Sequence, residues 1–180
     1  ETSMGMTPLE GLVMGTRCGD IDPAIPFFLM KRLKVSVEEI ETILNKKSGL
    51  KGLYGHQDMR ELLEGQQRGD AGAIQALEVY THRIRKYIGA YMAVLGRVDA
   101  LVFTAGIGQN AHWIRQECLR GLDSLGILLD QEKNQTGSAN EERDISATHA
   151  RTRVLVVPTN EEWQIAWEVY RLLASDDVSF

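Results

Sequence analysis

The chain has 180 residues, 43% of them hydrophobic and 25% charged, which is enough apolar content for a real core and too much for global disorder. Its formal net charge of -5 argues against a dedicated nucleic-acid binder, and no run of residues is long and apolar enough for a membrane span. Two cysteines, Cys18 and Cys118, make neither a disulfide framework nor a cysteine-type zinc site, and no secretory signal pattern opens the chain, so a reducing, cytoplasmic setting is expected.

The sequence starts at Glu1-Thr2-Ser3 without a methionine, which suggests a piece of a longer protein. Residues 1–26 are punctuated by Gly5, Pro8, Gly11, Gly15, Gly19, Pro23 and Pro26, and read as loop and short turns. Phe27, Phe28, Leu29 and Met30 suggest one short helix. Ser36 followed by Glu39 is a capping-box pattern that opens a helix to about Asn45. Lys46, Lys47, Ser48 and Gly49 end it. Asp58 caps a helix over 59–67. The strongest helix spans 71–95, with Ile74, Leu77, Tyr80, Ile84, Tyr87, Ile88, Tyr91 and Leu95 at steps of three and four. Residues 99–104 read as a buried strand leading into a glycine-rich turn, and a helix follows over 111–120. Residues 130–148 form a polar surface connection with a short edge strand at its end. Val154 to Val157 is a second buried strand, stopped by Pro158. A last helix runs to Ala174 with Ile165, Ala166, Val169 and Leu172 on its apolar face. Residues 175–180 are expected to fray. The result is an α/β chain with two strand–turn–helix units, and open α/β sheets hold ligands at the carboxyl ends of such strands.

Four motifs allow a structural or a functional reading. In Thr104-Ala105-Gly106-Ile107-Gly108-Gln109-Asn110, glycine lets backbone N–H groups approach a nucleotide, and the next helix start offers unpaired donors. A tight strand-to-helix turn explains the same glycines. The dinucleotide fingerprint does not fit: the third glycine is missing, and no acidic residue ends another strand about 20 residues on. In Pro158-Thr159-Asn160-Glu161-Glu162, the helix dipole alone favours the acids, while a carboxylate at a strand end also suits hydrated Mg²⁺. Arg17, in a glycine-flanked loop, either pairs locally with Asp20 or Asp22 or clamps a phosphoryl group. Asp58, beside Arg60, is either a plain helix cap or a ligand for a ribose or adenine edge.

His56, His82, His112 and His149 are scattered without ligand spacing, so no transition-metal site is expected. Trp163 and Trp167 read as packing residues. Tyr80, Tyr87 and Tyr91 read as core or subunit-interface anchors.

In order along the chain, these motifs resemble the carboxyl-terminal half of the acetate/propionate kinase family. The resemblance rests on Thr2 to Leu12, Met14 to Pro23, Asn45 to Gly49, Phe103 to Gly108 and Pro158 to Glu162, and it extends to about residue 174. It implies an incomplete actin-like (ribonuclease H-like) domain of the acetate and sugar kinase superfamily. Residues 1–160 would form part of the second kinase domain, and 161–174 a helix packing toward a first domain that is missing here.

The implied activity is reversible, ATP- and Mg²⁺-dependent (or Mn²⁺-dependent) phosphorylation of acetate or another short-chain carboxylate. The acceptor is acetate in the first reading and propionate in the alternative. The resemblance also implies a cytoplasmic homodimer with no nucleic-acid or membrane partner. It makes Arg17 the transition-state stabiliser and Pro8 part of the acyl pocket. Asp58, Met59 and Arg60 match an adenosine-contacting segment. Gly106, Ile107, Gly108, Gln109 and Asn110 match a nucleotide loop, and Glu161 matches the glutamate associated with the metal. Gln109 stands where the family usually has Glu. A reading of another class is a non-catalytic nucleotide-binding or dimerisation module, because the upstream phosphate loop and the opposite cleft wall are absent. A sugar kinase or chaperone-type ATPase fits less well, since the Met14 to Asp20 run is foreign to those families.

Overall fold

The structure, a computed structural model, describes residues 2–174. It divides into two compact units, Glu1–Val98 with Glu117–Arg120, and Asp99–Gln116 with Gly121–Phe180. The expected frayed tail, 175–180, lies outside the described residues.

In the first unit, residues 2–23 hold no regular helix or strand, as their glycines and prolines predict. Helices α1 (Ala24–Leu33), α2 (Val37–Lys46), α3 (Gly49–Tyr54), α4 (Met59–Gln67) and α5 (Ala71–Leu95) follow. Three of them start on side-chain caps that satisfy otherwise orphaned N–H groups. Ser36 and Glu39 form the reciprocal capping box of α2, with Ser36 N donating to Glu39 Oε2 at 2.7 Å. The Asp58 carboxylate accepts from Arg60 N at the start of α4. The Asp70 carboxylate accepts from Gly72 N and Ala73 N at the start of α5. Helix α1 begins three residues before the apolar run, directly after Pro23, whose φ of -59° is already helical. Helix α3 has only six residues, too few to show a periodicity in the sequence.

Helices α3 and α4 pack on α5. Leu50, Met59, Leu62, Ala73, Ala76 and Leu77 are buried there. Small residues set the approach of α4 to α5: a Cβ on Gly65 would fall 2.8 Å from Ala73 Cβ. A mid-helix glycine costs about 1 kcal/mol of helix propensity, and here it lets two helices close up. The expected apolar stripe of α5 is buried only toward its start, whereas Val94 and Leu95 are exposed.

Beyond Val98 come β1 (Ala100–Phe103), α6 (Ala105–Asn110), α7 (His112–Leu119), a 3₁₀ turn at Asp123–Leu125, α8 (Gln131–Gln135), β2 (Arg143–Asp144), β3 (Arg153–Val156) and α9 (Glu161–Ala174). The sheet order is β1-β3-β2. β1 runs parallel to β3, with Phe103 opposite Val156, and β2 runs antiparallel to it. β3 buries Val154 and Val156 in the sheet centre.

Three expectations are corrected here. β1 is not a buried strand: Val102 is 51% exposed, because Ala100 and Val102 stand on the sheet face opposite the one that Leu101 and Phe103 share with buried Val154 and Val156. Residues 105–110 are not an open turn but a short helix, made possible by Ala105 taking a left-handed φ of +57°. Trp163 and Trp167 are not buried packing residues. Their rings stack on each other, 5.9 Å apart and 5° from parallel, on a helix exposed along its whole length.

Cys118 is fully buried in the first unit, and burial pushes its thiol from its ordinary 9.0 up to about 12. The unfolded thiol ionises from about pH 9 while the folded one holds its proton, so the unfolded chain binds fewer protons and stability falls with rising pH. Equilibrium unfolding followed by circular dichroism should show this loss between about pH 9 and 12. Cys118→Ala should shed a measurable part of it.

Candidate functional site

Arg17 lies in a loop closed on itself. Gly11 N donates to Asp20 Oδ1 at 2.7 Å, and Asp20 N donates to Gly11 O at 3.0 Å. The crossing is too tight for side chains: Gly11 and Gly19 have φ of +100° and +68°, and a Cβ on Gly19 would sit 2.6 Å from Gly11 O.

The loop is laced to the break between α2 and α3. Cys18 N donates to Leu44 O at 3.1 Å, and Thr16 Oγ1 to Asn45 O at 2.8 Å. From the other side Leu50 N donates to Met14 O at 3.0 Å and Lys51 N to Gly15 O at 2.8 Å. The loop therefore takes two of the carbonyls that α2 leaves over and two of the N–H groups that α3 leaves over. Gly49, with φ +61°, lies directly beneath it, since a Cβ there would be 2.1 Å from Met14 O and 2.7 Å from Arg17 O.

The local pairing of Arg17 with Asp20 or Asp22, one of the two sequence readings, is not what the structure holds. Asp20 Oδ2 takes Arg83 Nη1 at 3.1 Å and the Tyr87 hydroxyl at 2.8 Å. Asp22 Oδ1 accepts from Ala24 N at 2.8 Å. Arg17 Nη1 donates to Met14 Sδ at 3.6 Å, a weak acceptor, and no carboxylate pairs with Arg17 among the described residues. An arginine in that state keeps its planar fork for an incoming oxyanion.

Segment 57–60 lies beside this loop: a Cβ on Gly15 would be 3.4 Å from Gln57 Cβ. Asp58 and Arg60 form a short fork, Nη2 to Oδ2 at 2.6 Å. Hydrogen bonds from Arg60, side chain first and then backbone, hold the exposed Asp58 carboxyl down at about 2. Met59, between them, turns into the core. Pro8 is exposed. Its neighbours Met6, Thr7, Leu9 and Glu10 line a cleft of about 410 Å³ together with Cys18 to Ile21.

In the second unit the turns after β1 and β3 are held side by side. Val157 N donates to Phe103 O at 2.9 Å, and Thr104 Oγ1 donates to Val157 O at 2.7 Å. With its amide turned to satisfy both neighbours, Gln109 accepts from Thr159 N at 2.8 Å and Ala105 N at 3.2 Å. Gln109 thus staples the glycine-rich turn to the Pro158–Glu161 turn. The two glycines differ in kind. A Cβ on Gly108 would press to 3.1 Å on the Phe103 backbone, whereas one on Gly106 would meet nothing within 4 Å. The chain's own packing asks for the first glycine, and the second leaves bare backbone facing open space. Ile107 is 37% exposed, and Asn110 Nδ2 donates back to Gly106 O at 2.8 Å.

Arg115 carries this turn and was not singled out from the sequence. It is 1% exposed and donates from Nη1 to Gly108 O and Gln109 O, at 2.8 and 2.9 Å. Nε and Nη2 reach Asn134 Oδ1 and Asn134 O. Burial lowers its pKa to about 10, so it stays charged at neutral pH. The available signal was a charged residue on the same helical stripe as Ile114 and Cys118.

Glu161 opens α9 and is exposed, with Asn160 Oδ1 accepting from Trp163 N at 3.1 Å in the same turn. Among the described residues no group of three or more His, Cys, Asp or Glu could hold a metal by itself. A single carboxylate at a strand end fits Mg²⁺ held chiefly by water and phosphate, not a metal in an all-protein cage.

The two parallel strands thus end in adjacent turns, one glycine-rich and one acidic, at the carboxyl edge of an open α/β sheet, which is where such sheets hold ligands. The solved acetate kinase of Porphyromonas gingivalis superposes with a TM-score of 0.89 at 41% identity, covering 95% of this chain and 43% of that one. A solved propionate kinase from Francisella tularensis superposes at 0.85 and 46% identity, over 92% and 42%. The fold is thus an actin-like kinase domain, present in part.

The chain belongs to the acetokinase family, whose model matches residues 1–167. An acetate kinase of Nitratidesulfovibrio vulgaris is 57% identical over 166 residues, 92% of this chain and 41% of that protein. One from Streptomyces avermitilis is 53% identical over 175 residues, 97% and 43%. The chain spans about two-fifths of the length of these relatives.

Gly49→Ala should destabilise the chain by at least about 1 kcal/mol, from the left-handed φ alone, and more from the contact with Met14 O. Urea unfolding of the two proteins side by side measures it.

Proposed function

We propose that this chain is the carboxyl-terminal part of a cytoplasmic acetate kinase, which moves the γ-phosphoryl group of ATP reversibly onto acetate. The observation that carries this reading is an arginine with no carboxylate partner among the described residues, fixed on a hydrogen-bonded loop, in a chain 57% identical over 166 residues to an acetate kinase. In the reaction a carboxylate oxygen bonds to the γ-phosphorus as the bond to the β,γ-bridging oxygen breaks, and ADP leaves with that electron pair. Such a transfer asks the protein for positioning and charge stabilisation more than for covalent chemistry.

Arg17 binds the transferring phosphoryl oxygens and stabilises their charge in the transition state. Pro8 contributes to the pocket for the acyl methyl. Asp58, Met59 and Arg60 contact the adenosine. Gly106 to Asn110 offer backbone N–H groups to the nucleotide, with Arg115 and Gln109 keeping the turn in shape. Glu161 would hold Mg²⁺ (or Mn²⁺), which when bound would supply charge neutralisation at the phosphates. The remainder of the protein supplies the opposite wall of the site and covers α9, whose Trp163, Ile165, Leu172 and Leu173 are all more than half exposed. The working enzyme is a homodimer.

Propionate as acceptor is a second reading, supported by the likeness to the Francisella propionate kinase. One methylene is worth about 1–3 kcal/mol in a pocket, so few residues need differ.

The test is acyl-hydroxamate formation from ATP, Mg²⁺ and acetate or propionate. The full-length protein should turn over acetate, and residues 1–180 alone should not. Arg17→Ala in the full-length protein should lose on the order of a thousandfold in kcat. A preference for propionate moves the reading to its alternative. No hydroxamate with either acid overturns the kinase reading in favour of a nucleotide-binding module.

Glu161→Gln gives a separate check. It should raise the Mg²⁺ concentration needed for half-maximal rate while leaving the KM for acetate nearly unchanged, as measured by metal titration.

A further inference from the structure

Among the described residues Arg17 has no side-chain partner stronger than a thioether, so its aim depends on the loop that carries it. That loop spans ten residues from Gly11 to Asp20, and both its ends are fastened to one helix face. Arg83 Nη1 donates to Gly11 O at 3.2 Å, and Nη2 donates to Asp20 O at 3.0 Å. The same guanidinium pairs with Asp20 Oδ2 at 3.1 Å. One turn further along α5, Tyr87 donates its hydroxyl to that oxygen at 2.8 Å. The other carboxylate oxygen, Oδ1, accepts from Gly11 N at 2.7 Å. Three donors at the neck of the loop, Gly11 N, Arg83 and Tyr87, therefore meet on the Asp20 carboxylate. Arg83 and Tyr87 stand four residues apart, so they face the same way from the helix. The base is stiff, because α5 is capped by Asp70 and buried at Ala73, Ala76 and Leu77.

We infer that Arg83 and Tyr87 are positioning residues for the phosphoryl transfer, acting through Asp20 to hold the Arg17 loop at the angle the reaction needs. The inference rests on the role given to Arg17 above. A plain loop staple needs one or two hydrogen bonds. Here one carboxylate collects a backbone N–H, a guanidinium and a phenol, and the guanidinium also takes the carbonyls at both ends of the loop. Such convergence fixes orientation as well as attachment, because Arg83's planar fork is read by three oxygens in different directions. Small errors in the placement of a charge-stabilising group lower the rate without weakening ground-state binding in proportion. The clamp should therefore appear in kcat rather than in KM.

The test uses the full-length enzyme and a double-mutant cycle. Tyr87→Phe removes one hydroxyl and leaves the ring in place. It should lower kcat about tenfold, change the KM for ATP and for acetate less than about twofold, and leave the thermal midpoint close to the parent's. Arg83→Lys keeps the charge and loses the fork, and should show the same kcat-dominated pattern with a larger loss. In an Arg17→Lys background, Tyr87→Phe should change kcat by less than about twofold, because the group it positions is already gone.

An unchanged kcat for Tyr87→Phe and Arg83→Lys, with both proteins folded, overturns the inference. So does an equal loss in the Arg17→Lys background, which would mean that the clamp acts on the fold generally. An Arg17→Lys enzyme as fast as the parent overturns the role of Arg17 as well, and thereby separates failure of that assignment from failure of the clamp.

Discussion

Backbone N–H and C=O groups that lose their partners where helices and strands stop must find new ones, and this demand shapes every loop that matters in the chain. The glycine loop around Arg17 is held by the leftover carbonyls of α2 and the leftover N–H groups of α3. The turn after β1 is held by Arg115, which takes the leftover carbonyls at the end of α6. Gln109 takes Thr159 N and Ala105 N, the first a backbone group stranded just beyond β3. Leaving such a group buried and unpaired costs about 1–3 kcal/mol, so each loop has little freedom to take another path. Irregular segments thereby become as well defined as the helices beside them.

Charge is used in two ways in this acidic chain. Arg17 and Arg115 both lack a carboxylate partner among the described residues, yet they are opposite cases. Arg115 is enclosed by carbonyl and amide oxygens, and the cost of its burial is met by four hydrogen bonds that shape a turn. Arg17 is half-buried, with one thioether contact and its hydrogen-bonding capacity largely unspent. The first suits a structural centre and the second a group waiting for an anion. Arg83 is a third case, between them in character: it pairs with a carboxylate and also donates to two backbone carbonyls.

Much of this was legible in the sequence, because it depends on short-range chemistry. Ser36, Asp58 and Asp70 mark helix starts by hydrogen bonds that span two or three residues. The 71–95 helix shows in its periodicity. What could not be read depends on contacts between distant residues. The exposure of β1 is a matter of which sheet face is covered by the rest of the fold, not of its own apolar run. Helix α6 needs an alanine in the left-handed region, which local preference argues against and the surrounding turn enforces. Asp20 could be seen beside Arg17, but its true partners lie 63 and 67 residues further along. At the candidate site, residue types and order were visible early. The clamp and the buried arginine appear only when the chain is folded.

The open side of β1 sets a kinetic condition. Among the described residues this four-residue strand is paired on one side only, and it carries a half-exposed Val102. Any extended segment that arrives can hydrogen-bond there, and nothing in β1 itself distinguishes the right partner from the wrong one. The order of events during synthesis and refolding therefore matters: an intramolecular partner competes at a fixed effective concentration, while other copies compete in proportion to how crowded they are. Dilution, low temperature and prompt coverage of that edge decide between a soluble product and strand-mediated association.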